Sequence, residues 1–215
     1  MAKLVTCVIF LSLVNVIRAC VNGTLLSSYT LTCQDKKDIV NWHNHYRQRV
    51  ATTIPTENMR KLYWDHELET QAQKLASSCL YEHDSPTIQG KNDVGQTIWQ
   101  TITTNRESSS KGTMKFKEQI DEWYKEGLKY KGATTEDVRH FTQLVWADSY
   151  KVGCGFSYFK KKDKNGKDEH YIKYYVCNYA PKGNKPTESP YRRGNGCNHH
   201  HLTPTQDTQG LCITD

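Results

Sequence analysis

The sequence lacks the motifs that mark several common chemistries. No two of its eight cysteines have C-x-x-C spacing, and it contains neither a G-x-S-x-G segment nor an H-E-x-x-H segment. These absences argue against a zinc ribbon, a serine hydrolase with a nucleophile elbow and a zinc metallopeptidase. The chain also has little excess of charge of one sign, because 29 Lys and Arg against 23 Asp and Glu give a formal net charge of only +6. A dedicated nucleic-acid-binding protein would gather its basic residues on one element, so we expect no nucleic-acid partner.

Internal repeats and a biased composition are missing as well. Hydrophobic residues make up 36% of the chain and charged residues 24%, with 13 Gly and 6 Pro. This composition excludes collagen, a coiled coil, a polytopic membrane protein and a disordered chain. The length of 215 residues suits one generous domain or two small ones.

The one strongly apolar segment lies at the N-terminus. A short basic start is followed by residues 4–17, which are almost entirely apolar. This run is too short for a membrane anchor but is typical of a secretory signal peptide; the alternative is a buried N-terminal helix. We predict a signal peptide over residues 1–20 and a secreted, extracellular chain that does not span a membrane. Asn22 begins the only Asn-x-Thr sequon and is the predicted glycosylation site.

The number of cysteines also indicates an exported protein. Cleavage after Cys20 or Gly23 would leave six of them, namely Cys33, Cys79, Cys154, Cys177, Cys197 and Cys212. An even number in an oxidising compartment predicts three disulfides, for which sequence alone allows about 15 pairings. Cleavage after Ala19 would instead leave Cys20 as an odd thiol.

Hydrophobic periodicity divides the chain into helices first and strands later. Apolar residues at spacings of three and four predict helices over residues 33–52, 65–82, 114–130 and 136–146. Aromatic and β-branched runs over 152–159 and 170–179, joined by a loop containing Asn165-Gly166, predict a hairpin. Residues 84–113, rich in Ser, Thr, Gly and Asn, are expected to form a long irregular connection. The pattern indicates an α+β fold.

Four segments resemble the signatures of the CAP superfamily of cysteine-rich secretory, venom allergen and pathogenesis-related proteins. The sequence HFTQLVWADS at 140–149 resembles the first signature, and YVCNYAPKGN at 175–184 resembles the second, departing only at Lys185. HNHYR at 43–47 is similar to the motif of the family's first helix, and GQTI at 95–98 has Thr97 where Asn is usual. Within the family the chain resembles the secreted venom allergen-like proteins of parasitic worms.

This resemblance implies a three-layer α–β–α sandwich with an antiparallel sheet between two helical layers. The CAP domain would cover residues 33–188, preceded by an N-terminal extension over 21–32 and followed by a disulfide-stapled tail over 189–215. The resemblance also implies two of the disulfides, Cys33–Cys79 and Cys154–Cys177, which leaves Cys197 and Cys212 for the third.

The family places two histidines and two acidic residues around a central cavity. The positions that match them here are His83, Gln96, Glu126 and His140. Two imidazoles oriented by carboxylates could bind a divalent transition metal. Because Gln96 replaces an acid, we expect at most weak zinc binding and no required cofactor. The alternative is a hydrogen-bonded network that braces the core.

The resemblance further implies two modes of lipid binding. Some members hold a fatty acid between two helices, and the matching apolar residues are Ile39, Tyr46, Val50, Ile120 and Trp123. Others bind a sterol through the loop after the GQTI-like motif, where residues 98–112 contain a single aromatic, Trp99. A plain hydrophobic core would use the same residues.

We therefore expect a secreted binding protein with no catalytic residues. It would sequester or transport a fatty acid or, secondarily, a sterol, and so modulate host responses at a host–parasite interface. One alternative is a protein-interaction or immune-modulating module that binds a host protein and no lipid. The other is a metal-dependent hydrolase, which would need an activated nucleophile or an acid–base pair beside a polarising group.

Overall fold

The computed structural model describes residues 20–21, 23–107, 112–199 and 201–214. The predicted signal peptide, apart from Cys20, lies outside the described residues, and so does the predicted glycosylation site Asn22. Within the described ranges, no helix is long and apolar enough to cross a membrane.

Helices and strands alternate along the first half of the chain, and a long hairpin follows. The helices are α1 (Cys33–Thr53), α2 (His66–Ser78), α3 (Phe116–Lys125) and α4 (Arg139–Leu144), with 3₁₀ turns at Glu126–Lys129 and Glu136–Val138. The strands are β1 (Thr24–Tyr29), β2 (Tyr63–Trp64), β3 (Gly95–Thr103), β4 (Lys151–Lys162), β5 (Glu169–Ala180), β6 (Leu202–Pro204) and β7 (Cys212–Thr214). The main sheet has the antiparallel order β1-β4-β5-β3, and β2 adds a short parallel pairing to β4.

Successive side chains of β4 point alternately to the two helical layers. Gly153 and Gly155 face α2, whose backbone lies so close that a Cβ on either glycine would come within 2.2 and 2.5 Å of backbone atoms. Val152, Phe156 and the residues alternating with them point to the other face and join the main core with α1, α3 and α4. The predicted α–β–α sandwich is confirmed.

Helix α1 begins with a capping box that the sequence analysis did not use. The Thr32 hydroxyl accepts from the Asp35 N–H, and the Asp35 carboxylate accepts from the Thr32 N–H. Helix α2 begins where the Asp65 carboxylate accepts from two backbone N–H groups, and it ends at Cys79, whose φ of 60° is left-handed. The predicted end of this helix at residue 82 is therefore too late.

Two other boundaries also differ from the sequence prediction. Helix α3 ends at Lys125 and continues as a 3₁₀ turn, in which Gly127 packs so closely against the Phe141 ring that a Cβ would come within 2.7 Å of it. Residues 95–103, expected to be irregular, form strand β3, since Thr97, Ile98 and their neighbours alternate as a pleated surface requires.

The N-terminal extension and the tail both belong to the folded domain. Strand β1 pairs with β4 over Thr24–Tyr29 and forms one edge of the main sheet. In the tail, β6 and β7 form a small hairpin, and the backbone of Cys212 exchanges hydrogen bonds with Met59 and Lys61 after α1. Leu211 and Cys212 are completely buried.

Three disulfides are described, and one differs from the expected pairing. Cys154–Cys177 and Cys197–Cys212 are confirmed. The expected Cys33–Cys79 pair is wrong, because Cys79 bonds to Cys20. The first residue of α1 and the last turn of α2 lie on opposite faces of the sheet. Cys20, in contrast, lies beside the end of α2, because the N–H of its neighbour Val21 donates to the Ser78 carbonyl. Cys33 is itself disulfide-bonded.

Arg47 of α1 is completely buried, and its guanidinium is bonded entirely to main-chain oxygens. It donates to the carbonyl of Arg60, after α1, and to four carbonyls between α4 and β4, those of Leu144, Trp146, Ala147 and Ser149. Burial lowers its pKa to about 9, with the nearby Arg60 charge adding to the effect. The guanidinium thus joins α1 to two loops.

Replacing Arg47 with Met should strongly destabilise the fold. The change leaves the carbonyls of Arg60, Leu144 and Ser149 without a donor, whereas those of Trp146 and Ala147 keep a backbone N–H. Each unmade bond costs about 1–3 kcal/mol, so we expect the free energy of unfolding to fall by at least ~3 kcal/mol. Arg49→Met is the matched control, because Arg49 lies on the same helix but is exposed. Urea denaturation measures both; equal losses would contradict the role of Arg47.

His43 provides a pH-dependence prediction. Its ring lies in the core, with Nδ1 2.7 Å from the Ile39 carbonyl and Nε2 2.9 Å from the Tyr179 hydroxyl. Burial lowers its pKa from 6.5 to about 4, so below pH 6.5 the unfolded chain binds the proton more readily. Stability should fall by about 3 kcal/mol as the pH drops from 7 to 4. His43→Gln, less stable at neutral pH, should flatten this part of the stability curve.

Candidate functional site

His140 and Glu126 form a compact hydrogen-bonded unit. Glu126 is the first residue of the 3₁₀ turn after α3, and its Oε1 lies 2.7 Å from His140 Nδ1. Its Oε2 accepts from the backbone N–H groups of His140 and Phe141 at 3.1 and 3.2 Å. The carboxylate therefore fixes the position of the imidazole and also holds the start of α4.

The other nitrogen of the His140 ring is also engaged. Nε2 lies 3.1 Å from the carbonyl oxygen of Ile98 in β3. The ring stacks on Trp123, with centroids 5.8 Å apart and an interplanar angle of 10°, and the edge of Trp99 meets it at 5.9 Å. His140 is consequently held on all sides, with only 23% of its side chain exposed.

His83 and Gln96 form a second unit with two further polar residues. Gln96 Oε1 lies 2.9 Å from His83 Nδ1, and Gln96 Nε2 donates to Asp84 Oδ1 at 2.6 Å and to Asn178 Oδ1 at 2.9 Å. Asn178 in turn donates to the Leu68 carbonyl in α2. The negative charge that Gln96 lacks is therefore supplied beside it by Asp84.

The four residues expected to share one cavity are divided into two pairs by the edge strand β3. Gln96 and Trp99, three positions apart, point to opposite faces of this strand, toward α2 and toward α3 respectively. Among the described residues, no group of three or more His, Cys, Asp and Glu side chains lies close enough to hold a metal ion. Each pair forms its own hydrogen-bonded network.

A divalent metal at His140 would need one change in this geometry. Glu126 already accepts from Nδ1, which is the arrangement that orients a metal-binding imidazole through its far nitrogen. The nitrogen left for a metal is Nε2, and it would first have to leave the Ile98 carbonyl.

The apolar residues expected to line a slot between the first and third helices are packed together in the core. The five residues are Ile39, Tyr46, Val50, Ile120 and Trp123, all at most 9% exposed. Tyr46 stacks on Tyr124 with centroids 4.2 Å apart, and its hydroxyl donates to Asp121 at 2.6 Å. A ligand would enter between α1 and α3 only if this stack opened. The role of these residues in ligand binding stays a prediction.

Trp99 lies elsewhere, in an open groove between β3 and α3 that we name the Trp99 groove. Its volume is 190 Å³. The residues that line it are Trp99, Thr101, Lys115, Glu118, Gln119, Glu122, Lys173 and Tyr175. The Trp99 and Tyr175 rings provide apolar surface, and burial raises the pKa of the Tyr175 phenol, which stays neutral.

Two buried donors next to this groove have no acceptor. Gln119 is only 4% exposed, and its Nε2 has no hydrogen-bond partner within the described structure. Trp123, one turn later on the same face of α3, is completely buried with its Nε1–H also unpaired. Buried donors are normally satisfied, so these two point to a missing acceptor. Gln119 was not predicted from the sequence, because its burial cannot be seen in a linear pattern.

Ser149 is the hydroxyl nearest in sequence to the first signature, and it has a structural role. It is completely buried, and its Oγ donates to the Pro181 carbonyl at 2.7 Å and accepts from Gln143 Nε2 at 3.3 Å. Neither partner is a base that would activate a nucleophile.

Replacing Gln96 with Glu should destabilise the His83 network as the pH rises. The new carboxylate would face Asp84 and the Asn178 carbonyl oxygen, so its pKa in the folded state would be raised. A carboxyl with a raised pKa stabilises the fold at acid pH and loses that contribution as the pH rises through the folded value. We expect the melting temperature of this variant to fall, relative to the wild type, between pH 4 and 7.

Gln100→Glu is the matched control, because Gln100 lies on the same face of β3 and forms no hydrogen bond with a carboxylate among the described residues. The same pH-dependent loss in both variants would contradict a specific repulsion by Asp84.

Similarity searches agree with this architecture. Residues 40–179 match the cysteine-rich secretory protein family, CAP. The chain is 31% identical to the salivary antigen-5 of Dipetalogaster maximus over 90% of this chain and 80% of that protein. It is 36% identical to the venom allergen 5 of Vespula vidua over 79% of this chain and 84% of that protein.

Solved structures share the fold. BmVAL-1 superposes with a TM-score of 0.67 at 24% identity, covering 86% of this chain and 96% of that one. Schistosoma mansoni venom allergen-like protein 4 gives a TM-score of 0.55 at 25% identity, covering 76% and 97%. NaASP2, solved with Zn²⁺, gives a TM-score of 0.62 at 20% identity, covering 85% of this chain and 97% of that one. The chain belongs to the CAP family of cysteine-rich secretory proteins, and its neighbours include venom allergen-like proteins.

Proposed function

We propose that this CAP protein is an extracellular binding protein, without catalytic activity, for a small amphipathic ligand that occupies the Trp99 groove. The first candidate is a fatty acid and the second is a sterol. Its disulfides fit an oxidising compartment, and the names of its relatives refer to saliva and venom. By this likeness the chain would act outside the cell and modulate a host's responses.

The observation that carries this proposal is the unpaired Nε2 of Gln119 beside two aromatic rings. A ligand carboxylate or hydroxyl would accept from Gln119 once this buried amide turned toward the groove, while the apolar part of the ligand would cover Trp99 and Tyr175. Lys115 lies at the rim with its side chain 54% exposed and only a loose contact, 3.5 Å, to Glu118. It is therefore available to balance a carboxylate, which would be costly to bury unpaired.

The size of the groove limits what it can enclose. Its 190 Å³ is below the roughly 300–1,000 Å³ of most small-molecule sites. The groove would hold the polar end and first methylenes of a fatty acid, each CH₂ contributing about 0.8 kcal/mol on burial. The rest of the chain would have to cover a neighbouring surface or open the α1–α3 contact.

A weak divalent metal remains part of the proposal. The relevant support is the Glu126–His140 pair, which would present Nε2 to a zinc ion once the Ile98 contact is broken. A single imidazole is a poor zinc site, because structural zinc takes four ligands and catalytic zinc three. The protein would need no metal for its binding function.

The test is displacement of a fluorescent fatty acid from the purified full-length secreted protein. Trp99→Ala should weaken binding of the fatty acid at least tenfold. Gln119→Leu should weaken it severalfold and should also raise the melting temperature of the protein, because the substitution removes an unpaired buried amide. Gln100→Leu is the matched control, because Gln100 lies on the opposite face of β3. It should leave the affinity unchanged.

Other outcomes would overturn the assignment of the site or of the ligand. Unchanged affinity in Trp99→Ala, with loss in a folded Ile120→Trp variant, would place the ligand between α1 and α3. Displacement by cholesterol but not by palmitate would make a sterol the ligand. If no lipid binds and none is extracted by organic solvent, the protein-interaction alternative would replace this proposal.

A further inference from the structure

The β4–β5 hairpin ends in a second groove, on the face of the sheet that carries α2. We name it the lysine groove. Its volume is 650 Å³, and it is lined by Gly23, Ile102, Lys161, Lys162, Asp163, Lys164 and His170. Lys161 and His170 stand opposite each other in the ladder, and Ile102 on the neighbouring strand is 52% exposed.

The lysines of this groove are mostly unpaired, although Lys162 stands opposite Glu169 in the ladder. Lys160, at its edge, is already paired with Glu169 at 2.6 Å, whereas Lys161, Lys162 and Lys164 form no ion pair with any described residue. Asp163 is the one acid in the lining, and its Oδ1 accepts from the backbone N–H groups of Asn165 and Lys167 in the turn. The groove therefore has an excess of positive charge.

His170 adds a second indication of a ligand. Its Nδ1 is buried and has no hydrogen-bond partner in the described structure, although the side chain lines the groove. A buried ring nitrogen without a partner is uncommon, and an anionic oxygen in the groove would satisfy it if the ring turned this nitrogen outward and the nitrogen carried a proton.

We propose that the lysine groove binds a linear sulfated polysaccharide. Its ammonium groups act as point charges for sulfate oxygens, and Ile102 offers an apolar floor for the carbon face of a sugar ring. The volume of the groove is within the range of about 300–1,000 Å³ for ligand sites, enough for a few sugar units.

The shape and composition of the groove argue against other polyanions. The groove is open to solvent along its length and so admits a thin flexible chain. Single-stranded nucleic acid would stack its bases on aromatic side chains, and no Phe, Tyr or Trp belongs to the lining. Repeated sulfates spaced along a chain match several lysines at once, as a single inorganic anion does not.

The test measures binding of a size-defined heparin hexasaccharide to the full-length secreted protein over a range of salt concentrations. The triple variant Lys161→Ala/Lys162→Ala/Lys164→Ala should lose at least tenfold in affinity at physiological salt. The slope of log affinity against log salt should become shallower by about 2–3, because fewer counterions are released.

The matched control is Lys125→Ala/Lys129→Ala/Lys131→Ala, which removes the same net charge from exposed lysines at the end of α3 and beyond. It should change the affinity less than twofold. Ile102→Glu, at an exposed position on the edge strand, is a second test that keeps all lysines and should also lower the affinity at least tenfold.

Four results would overturn the proposal. The first is an equal loss of hexasaccharide affinity in the control variant, and the second is undiminished binding of a desulfated hexasaccharide. The third is lysine-dependent binding to phosphatidylserine vesicles that is tighter than binding to the hexasaccharide. The fourth is full displacement of the hexasaccharide by inorganic sulfate at an equal concentration of charge. The last would reduce the groove to a site for a single anion. None of these results bears on the Trp99 groove, because that groove shares no lining residue with this one.

Discussion

The buried guanidinium of Arg47 is the interaction on which the arrangement of α1, its following loop and the α4–β4 loop depends. It has main-chain acceptors instead of a carboxylate, so its charge is balanced by carbonyl dipoles from two separate segments. The acceptors hold their positions only while the guanidinium stays, and the guanidinium tolerates burial only while they surround it. Helix α1 and the approach to β4 are therefore fixed together. The main core forms between them.

The sheet then separates two chemical environments. One face packs α2 directly onto the glycines of β4, close enough that backbone meets backbone. The other face buries the aromatic core, and at its rim lie His140, Trp123 and the Trp99 groove. Because β3 lies at the edge of the sheet, its alternating side chains reach both sides. This explains why motif residues that are near in sequence, such as Gln96 and Trp99, belong to different networks.

Much of the fold could be predicted from the sequence, and the errors have identifiable physical causes. Periodicity located α1 and the β4–β5 hairpin, because a buried helix stripe and a buried strand leave clear patterns. It failed for β3, an edge strand rich in Thr and Gln that resembles a loop in composition. The Cys33–Cys79 pairing failed because disulfide partners depend on which layer each helix occupies.

The candidate sites were less predictable, since they depend on unpaired atoms. The motifs located the four polar positions, but Asp84 and Asn178, which complete the Gln96 network, are ordinary polar residues in sequence. The missing acceptors of Gln119 and His170 become visible only when every neighbour is known. The lysines of the β4–β5 hairpin can be found in the sequence, but the groove that they line cannot.

The outer edge of β3 has a consequence for the solubility of this protein. An edge strand offers open main-chain groups to which a strand of another molecule can add. Here His140 bonds to the Ile98 carbonyl, and Ile102, near the more exposed end of the strand, shares a groove with three lysines. Charge near an open edge is a common protection against strand addition between copies. Residues at the two grooves would thus also keep concentrated protein from aggregating through its sheets.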